Sequence, residues 1–306
     1  IIYIKHLKGA IQMIGDMQKW TPNVAGIIEH AREIHPKTEI ISRLVSGEIH
    51  RSNYEKVCIR SRKLASALEK DGVKKGDVIA TLALNTYRHL EMYYGISGMG
   101  AITHTLNFRL HPEQAVYIIN HAEDKIIFVE LPFVPILEAL QENLKTVEKY
   151  VVLCEVDEMP ETALKNAISY EEYIQDGDEN YSWPTLEDDA ACALCYTSGT
   201  TGNPKGVLYS HKSNVIHAQA ALTAMTIKPD DTILMVVPLF HVLAWGIPYF
   251  GPMNGLKLVM PGMQMEGEPL FELIDQEDVT LAFGVPTIWM GLFCLLYTSP
   301  SPRDAH

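Results

Sequence analysis

The apolar positions of this chain change period many times, from short continuous runs to a 3.6-residue stripe and back, and each change marks an element. Residues 24–34 carry a helical stripe. Residues 40–45 and 49–51 are short apolar runs on either side of Ser46-Gly47-Glu48, which predicts a hairpin. Ser52, with Glu55 three positions on, has the form of a capping box. The helix it opens carries Val57, Leu64, Ala65 and Leu68 on one face. Strands are then predicted at 78–84, 101–105, 125–130 and 150–154, with helices at 87–97, 112–121 and 134–144 between them. The rhythm resumes with an apolar run at 190–196 and a second at 206–209. Further strands are expected at 232–237, 257–260 and 280–283. Helices are expected at 213–226, from about Val242, at 269–276 and from Pro286. Such alternation predicts an α/β fold with mostly parallel sheets.

Residues 176–189 are acidic and contain Pro184. They predict a linker at 178–189 between a first α/β subdomain, 13–177, and a second, 190–293. Residues 1–12 stand outside the pattern as extra residues, and Met13 is the expected start. Residues 294–306 drop the alternation and contain two Ser-Pro steps, so a non-native tail is expected, similar to translated sequencing-adaptor read-through.

Composition removes several functions. A formal charge of -13 and the absence of a basic stripe argue against a nucleic-acid partner. The most apolar region, 242–260, is interrupted by Pro248, Pro252 and glycines, too often for a membrane span. Five scattered cysteines imply no disulfide framework and fit a reducing compartment, the cytoplasm. Cys192 and Cys195 are expected to be small core residues rather than a metal pair. Gly98-Met99-Gly100 lacks the third glycine of a dinucleotide fingerprint and is expected to stop a helix.

The chemistry is concentrated in Tyr196-Thr197-Ser198-Gly199-Thr200-Thr201-Gly202-Asn203-Pro204-Lys205-Gly206-Val207. Glycines let successive N–H groups converge into an anion-binding concavity. Three hydroxyls and one compact ammonium group complete a site suited to polyphosphate. It is not a Walker A loop, because Gly206 follows the lysine and a strand, not a helix, comes next. A second constellation, Pro238-Leu239-Phe240-His241-Val242-Leu243-Ala244-Trp245-Gly246, follows a predicted strand, where open α/β sheets bind ligands. Trp245 is expected one helical turn beyond His241 and on the same face, lining an apolar pocket.

The phosphate loop resembles that of the adenylate-forming superfamily: acyl-CoA synthetases, peptide-synthetase adenylation domains and luciferases. The segments around His241, Ile49-His50-Arg51, Asn85 to Glu91, the run from Gly98 through Asn107 and Arg109 to His121, and Val285-Pro286-Thr287 narrow the likeness to medium- and long-chain fatty-acyl-CoA synthetases, from about Met13 to Phe293. The resemblance implies the large N-terminal domain of such an enzyme and the substrates ATP, fatty acid and CoA, with Mg²⁺. It implies that Thr197, Ser198, Gly199, Thr200, Thr201, Gly202 and Lys205 hold the β- and γ-phosphates. Thr197 helps to place the metal, and His241 and Lys205 are the expected catalytic residues. His241 lies by the α-phosphate and acyl carboxylate, and Trp245 borders the acyl tunnel. A homodimer is compatible with the resemblance. The family's Mg²⁺-holding glutamate, ribose-binding aspartate and C-terminal catalytic lysine have no counterpart in these 306 residues, so an incomplete ligase, inactive alone, is expected. An aryl- or amino-acid-adenylating enzyme and a non-catalytic nucleotide-binding module remain alternatives.

Overall fold

The structure is a computed structural model that describes residues 20–197 and 203–298. Helix α1 (Val24–Ile34) comes first. Asn23 caps it by accepting the Gly26 N–H at 2.8 Å, and its stripe of Val24, Ile27, Ile28 and Ala31 is buried. The antiparallel pair β1 (Glu39–Arg43) and β2 (Ile49–Asn53) leads into α2 (Tyr54–Lys70). The cap of α2 is Asn53, whose side chain accepts the Lys56 N–H at 2.9 Å, and not the predicted Ser52. Ser52 stays in the β-ladder opposite Ile40, so the chain turns into the helix one residue later.

Next come β3 (Val78–Leu82), α3 (Tyr87–Gly98), β4 (Ile102–Thr105), α4 (Pro112–Ala122), β5 (Ile126–Val129) and α5 (Val134–Leu140). They are followed by β6 (Lys149–Val152), β7 (Ala167–Ser169), α6 (Tyr170–Gln175), β8 (Ala191–Thr197) and β9 (Lys205–Ser210). These strands form a seven-stranded sheet in the order β7-β6-β5-β3-β4-β8-β9, parallel except at β8–β9. The rest of the chain supplies α7 (His211–Ala224), β10 (Thr232–Leu234), α8 (Ile247–Asn254), β11 (Lys257–Met260), α9 (Gly267–Gln276), β12 (Leu281–Ala282) and α10 (Pro286–Thr298). The second sheet runs β12-β10-β11-β1-β2, parallel except at β1–β2. The α/β class with mostly parallel sheets is therefore observed.

The two sheets do not divide at the acidic segment. β1 and β2, which precede it by more than a hundred residues, pair into the second sheet, and β8 and β9, which follow it, close the first. The segment itself is packed. Leu186 is buried, and the Trp183 indole donates to Glu29 Oε1 at 2.7 Å. Helix α10 runs through residues 295–298, beyond the point where the sequence pattern was expected to stop, because Phe293-Cys294-Leu295-Leu296 contains no helix breaker.

Helix α3 is buried along its whole length, in the layer that joins the two sheets. Its polar side chains are satisfied internally, as buried polar groups must be. His89 bonds Thr81 Oγ1 and the Leu84 carbonyl at 3.0 Å each, and burial pushes its pKa down to about 4. Glu91 accepts from Arg60 Nε at 2.7 Å and from the Tyr170 hydroxyl at 2.9 Å. Cys192 and Cys195 are buried core thiols, beside Asn214 Nδ2 at 3.0 Å and Thr105 Oγ1 at 3.3 Å respectively.

Candidate functional site

Strands β8 and β9 form the hairpin whose connection is the glycine-rich loop. Thr197, the last residue of β8, is the register partner of Lys205, the first of β9. Directly opposed residues of an antiparallel pair share a face. The threonine and the lysine thus flank one side of the mouth of the loop. Both are exposed. Ser198, Gly199, Thr200, Thr201 and Gly202 lie outside the described residues.

A cavity of about 280 Å³ opens at this mouth. Thr197, Tyr196 and Pro204 line it from the hairpin, Thr105 and Asn107 from the end of β4, and His241 from across the molecule. Thr197 and His241, distant in sequence, are therefore brought to one cavity. Lys205 and Trp245 do not line it. Its floor is β8, where Cys195 is buried. Asn107, Thr105 and Gln114 add polar groups that sequence reading did not name as site residues. Thr105 ends β4, Asn107 follows it and Gln114 lies in the first turn of α4, so their signal was the carboxyl end of a parallel strand, the same argument that drew attention to His241.

The segment after His241 is not the expected helix. Val242, Leu243, Ala244 and Trp245 take φ of 48°, 51°, 47° and 55°, a left-handed turn that ends at Gly246. Helix α8 begins only at Ile247, with Pro248 in its first turn, where a missing N–H costs nothing. Trp245 is consequently not stacked one helical turn above His241. It lines a separate cavity of about 470 Å³ with Leu243, Ser213, Asn214 and His217. Tyr209 and Val242 border both cavities and form the wall between them. Among the described residues that line the larger cavity, none is Asp or Glu.

Two histidines support Tyr196, the residue just before the loop. His121 Nδ1, on α4, shares a hydrogen bond of 2.6 Å with the Tyr196 hydroxyl. The Tyr196 ring lies 5.1 Å from that of His104. Burial pushes the Tyr196 phenol up to about 12, so it keeps its proton at neutral pH. His104 in turn bonds Asp124 at 2.8 Å, with both side chains fully buried. Burial raises the Asp124 pKa and the nearby imidazole opposes the rise. No cluster of three His, Cys, Asp or Glu side chains suited to a metal occurs among the described residues.

Thr197 and His241 line one cavity at the mouth of a hairpin whose lysine is followed by Gly206 and a strand, an arrangement distinct from a Walker A loop. The sequence profile of AMP-binding enzymes matches residues 28–305, and the chain belongs to that family. It is 45% identical over 282 residues to a medium-chain-fatty-acid–CoA ligase of Ectopseudomonas oleovorans, covering 92% of this chain and 52% of the relative. It is 44% identical over the same length to a 3-methylmercaptopropionyl-CoA ligase of Ruegeria pomeroyi, again with 92% and 52% covered. A solved long-chain-fatty-acid–CoA ligase of Archaeoglobus fulgidus shares the fold, with a TM-score of 0.79 and 24% identity over 94% of this chain and 56% of that one. The chain spans about half the length of the curated relatives it matches. Among the described residues no helix is long and apolar enough to cross a membrane.

Proposed function

We propose that the chain is the nucleotide- and acyl-binding part of a fatty acid–CoA ligase. In the first half-reaction a carboxylate oxygen of the fatty acid attacks the α-phosphorus of ATP, and pyrophosphate leaves. In the second, the CoA thiol attacks the acyl carbonyl carbon, loses its proton and expels AMP. The observation that carries this reading is that Thr197 and His241 share one cavity while Trp245 lines an adjoining apolar one across a common wall. In this reading a phosphate site and an acyl site would adjoin across the wall formed by Tyr209 and Val242. The absence of Asp and Glu from the described lining of the larger cavity favours an uncharged acyl chain over an amino acid, whose ammonium group needs a carboxylate.

The chemistry asks mainly for alignment and for donors aimed at developing negative charge. Lys205 and the loop hydroxyls would neutralise the departing pyrophosphate. The His241 imidazole would face the α-phosphate and acyl oxygens. Mg²⁺ keeps most of its shell as water and phosphate oxygen, so the single hydroxyl of Thr197 fits such a site without a protein cage. When bound, the ion supplies charge neutralisation at the phosphates. A cytoplasmic location belongs to the same reading, supported by scattered cysteines that imply no disulfide framework.

The test is carboxylate-dependent exchange between ATP and labelled pyrophosphate in the full-length enzyme bearing this chain. Exchange driven by medium- or long-chain fatty acids is expected. Exchange driven only by aryl or amino acids would overturn the assignment.

A further inference from the structure

The segment that delivers His241 to the cavity is gripped by side chains that come from the first sheet and from α3. Asn85 follows β3 and is 1% exposed. Its Nδ2 donates to the carbonyls of Met235 at 2.7 Å and Val237 at 2.8 Å, and its Oδ1 accepts the Leu239 N–H at 2.8 Å. Three of the four hydrogen bonds open to an amide are filled by alternate residues of one extended strand exit. Two carbonyls on one side and an N–H on the other fix which way round the amide sits. The Asn85 carbonyl is itself tied to the exit of β11, accepting the Gly262 N–H at 3.3 Å.

Two further side chains, one from α3 and one from β4, continue the grip toward His241. The Tyr93 hydroxyl of α3 donates to the Leu239 carbonyl. Thr105 Oγ1 of β4 donates to the Phe240 carbonyl at 3.3 Å. Both side chains are buried. His241 itself donates its N–H to the Pro238 carbonyl at 2.9 Å. Beyond it, the Tyr94 hydroxyl donates to the Pro248 carbonyl, at the start of α8.

What lies between these anchors is strained. A left-handed residue with a Cβ costs roughly 1–2 kcal/mol, and Val242, Leu243, Ala244 and Trp245 are four in succession. Such a conformation persists only where its surroundings over-determine it. The hydrogen bonds on both flanks do that. They fix the entry to the turn at Leu239 and Phe240 and its exit at Pro248.

We propose that Asn85 is a positioning residue for His241, acting through the 235–239 segment, with Tyr93 and Thr105 as its auxiliaries. The proposal rests on the assignment of His241 to the ligase site. Asn85 is too deeply buried to meet substrate, so its effect must pass through the loop. A displacement of about 1 Å at a reacting group can cost on the order of 10²-fold in rate.

Two measurements on the full-length enzyme test this. The first is a double-mutant cycle in the adenylation half-reaction with Asn85→Ala and His241→Ala. Asn85→Ala is expected to lower kcat about 10²-fold while leaving KM for ATP nearly unchanged, and to cost almost nothing more once His241 is gone. Losses that multiply would overturn the proposal, because residues acting as one unit are non-additive. The second is amide hydrogen exchange. Residues 235–241 should exchange at least about tenfold faster in Asn85→Ala, the worth of one lost hydrogen bond, with β3 and β4 unchanged. Unchanged protection at 235–241 overturns the proposal whether or not the enzyme activates any acid. A wild type that activates no carboxylic acid removes the ligase reading instead and leaves the exchange result to decide the positioning. If Asn85→Ala does not fold, Tyr93→Phe, which removes only the hydroxyl on the Leu239 carbonyl, undergoes both measurements, with smaller effects in the same direction expected.

Discussion

His241 and Trp245 are four residues apart and open into different cavities. The left-handed turn between them sends the imidazole to the hairpin side and the indole to the larger apolar space, with Val242 in the shared wall. In a right-handed helix the two would have lain one above the other. In the proposed function the turn would therefore set a position assigned to phosphate apart from one assigned to an acyl chain, within a single short segment.

Trp245→Ala should accordingly change selectivity before it changes nucleotide use. Removing the indole enlarges a cavity that His241 does not line, so the ranking of fatty acids by chain length should shift while KM for ATP stays close to the wild-type value. Steady-state kcat/KM over a series of acids measures this. An equal fall for every chain length would make Trp245 a packing residue only.

Lys205→Ala should act on the phosphate side. Lys205 faces Thr197 across the hairpin at the base of the loop. Loss of one preorganised donor to a developing charge costs about 10²–10³-fold in turnover, and that is the expected fall in pyrophosphate exchange. Wild-type exchange in the variant would show that the lysine has no part in holding the phosphates.

The elements and the loop were legible in the sequence because they are written locally. Period switches located most helices and strands to within a few residues, and the glycines and hydroxyls between Thr197 and Lys205 marked the connection between two strands. The turn at 242–246 was not legible. Val-Leu-Ala-Trp has no local preference for positive φ, and the groups that hold it there, Asn85 and Tyr93, come from about 150 residues away. The Tyr196–His121 bond spans 75 positions and was invisible for the same reason. So was the membership of β1 and β8 in their sheets, because β1 pairs with β11 and β8 with β4 across long stretches of chain.

Gly246→Ala tests how tightly the turn is set. Gly246 has φ of 82°, and a Cβ built there would lie 2.6 Å from His217 Nδ1. The substitution should destabilise the protein by about 1–2 kcal/mol from backbone strain alone, with a further cost unless the exposed His217 ring moves away. Urea unfolding reads the difference. A variant as stable as the wild type would mean that the turn relaxes freely.

Glu130 should make stability fall as pH rises from 5 to 8. The residue follows β5, is 4% exposed and accepts the Leu84 N–H at 3.2 Å. Burial pushes its carboxyl from 4.5 up to about 7, against the opposing pull of the Leu84 N–H and the Arg88 guanidinium. Between these two values the folded protein retains a proton that the unfolded chain has released. Unfolding stability then has a negative slope with pH, and the contribution is complete below about 4.5 and lost above about 7. A shift of this size corresponds to an upper bound of about 3 kcal/mol. Glu130→Gln carries no charge at any pH, and its Oε1 still accepts the Leu84 N–H. The variant should match the wild type at pH 5 and exceed its stability at pH 8, by up to about 3 kcal/mol. Urea unfolding of both proteins at the two pH values decides the matter. A difference between them that is the same at pH 5 and pH 8 would show that Glu130 does not change its protonation across this range.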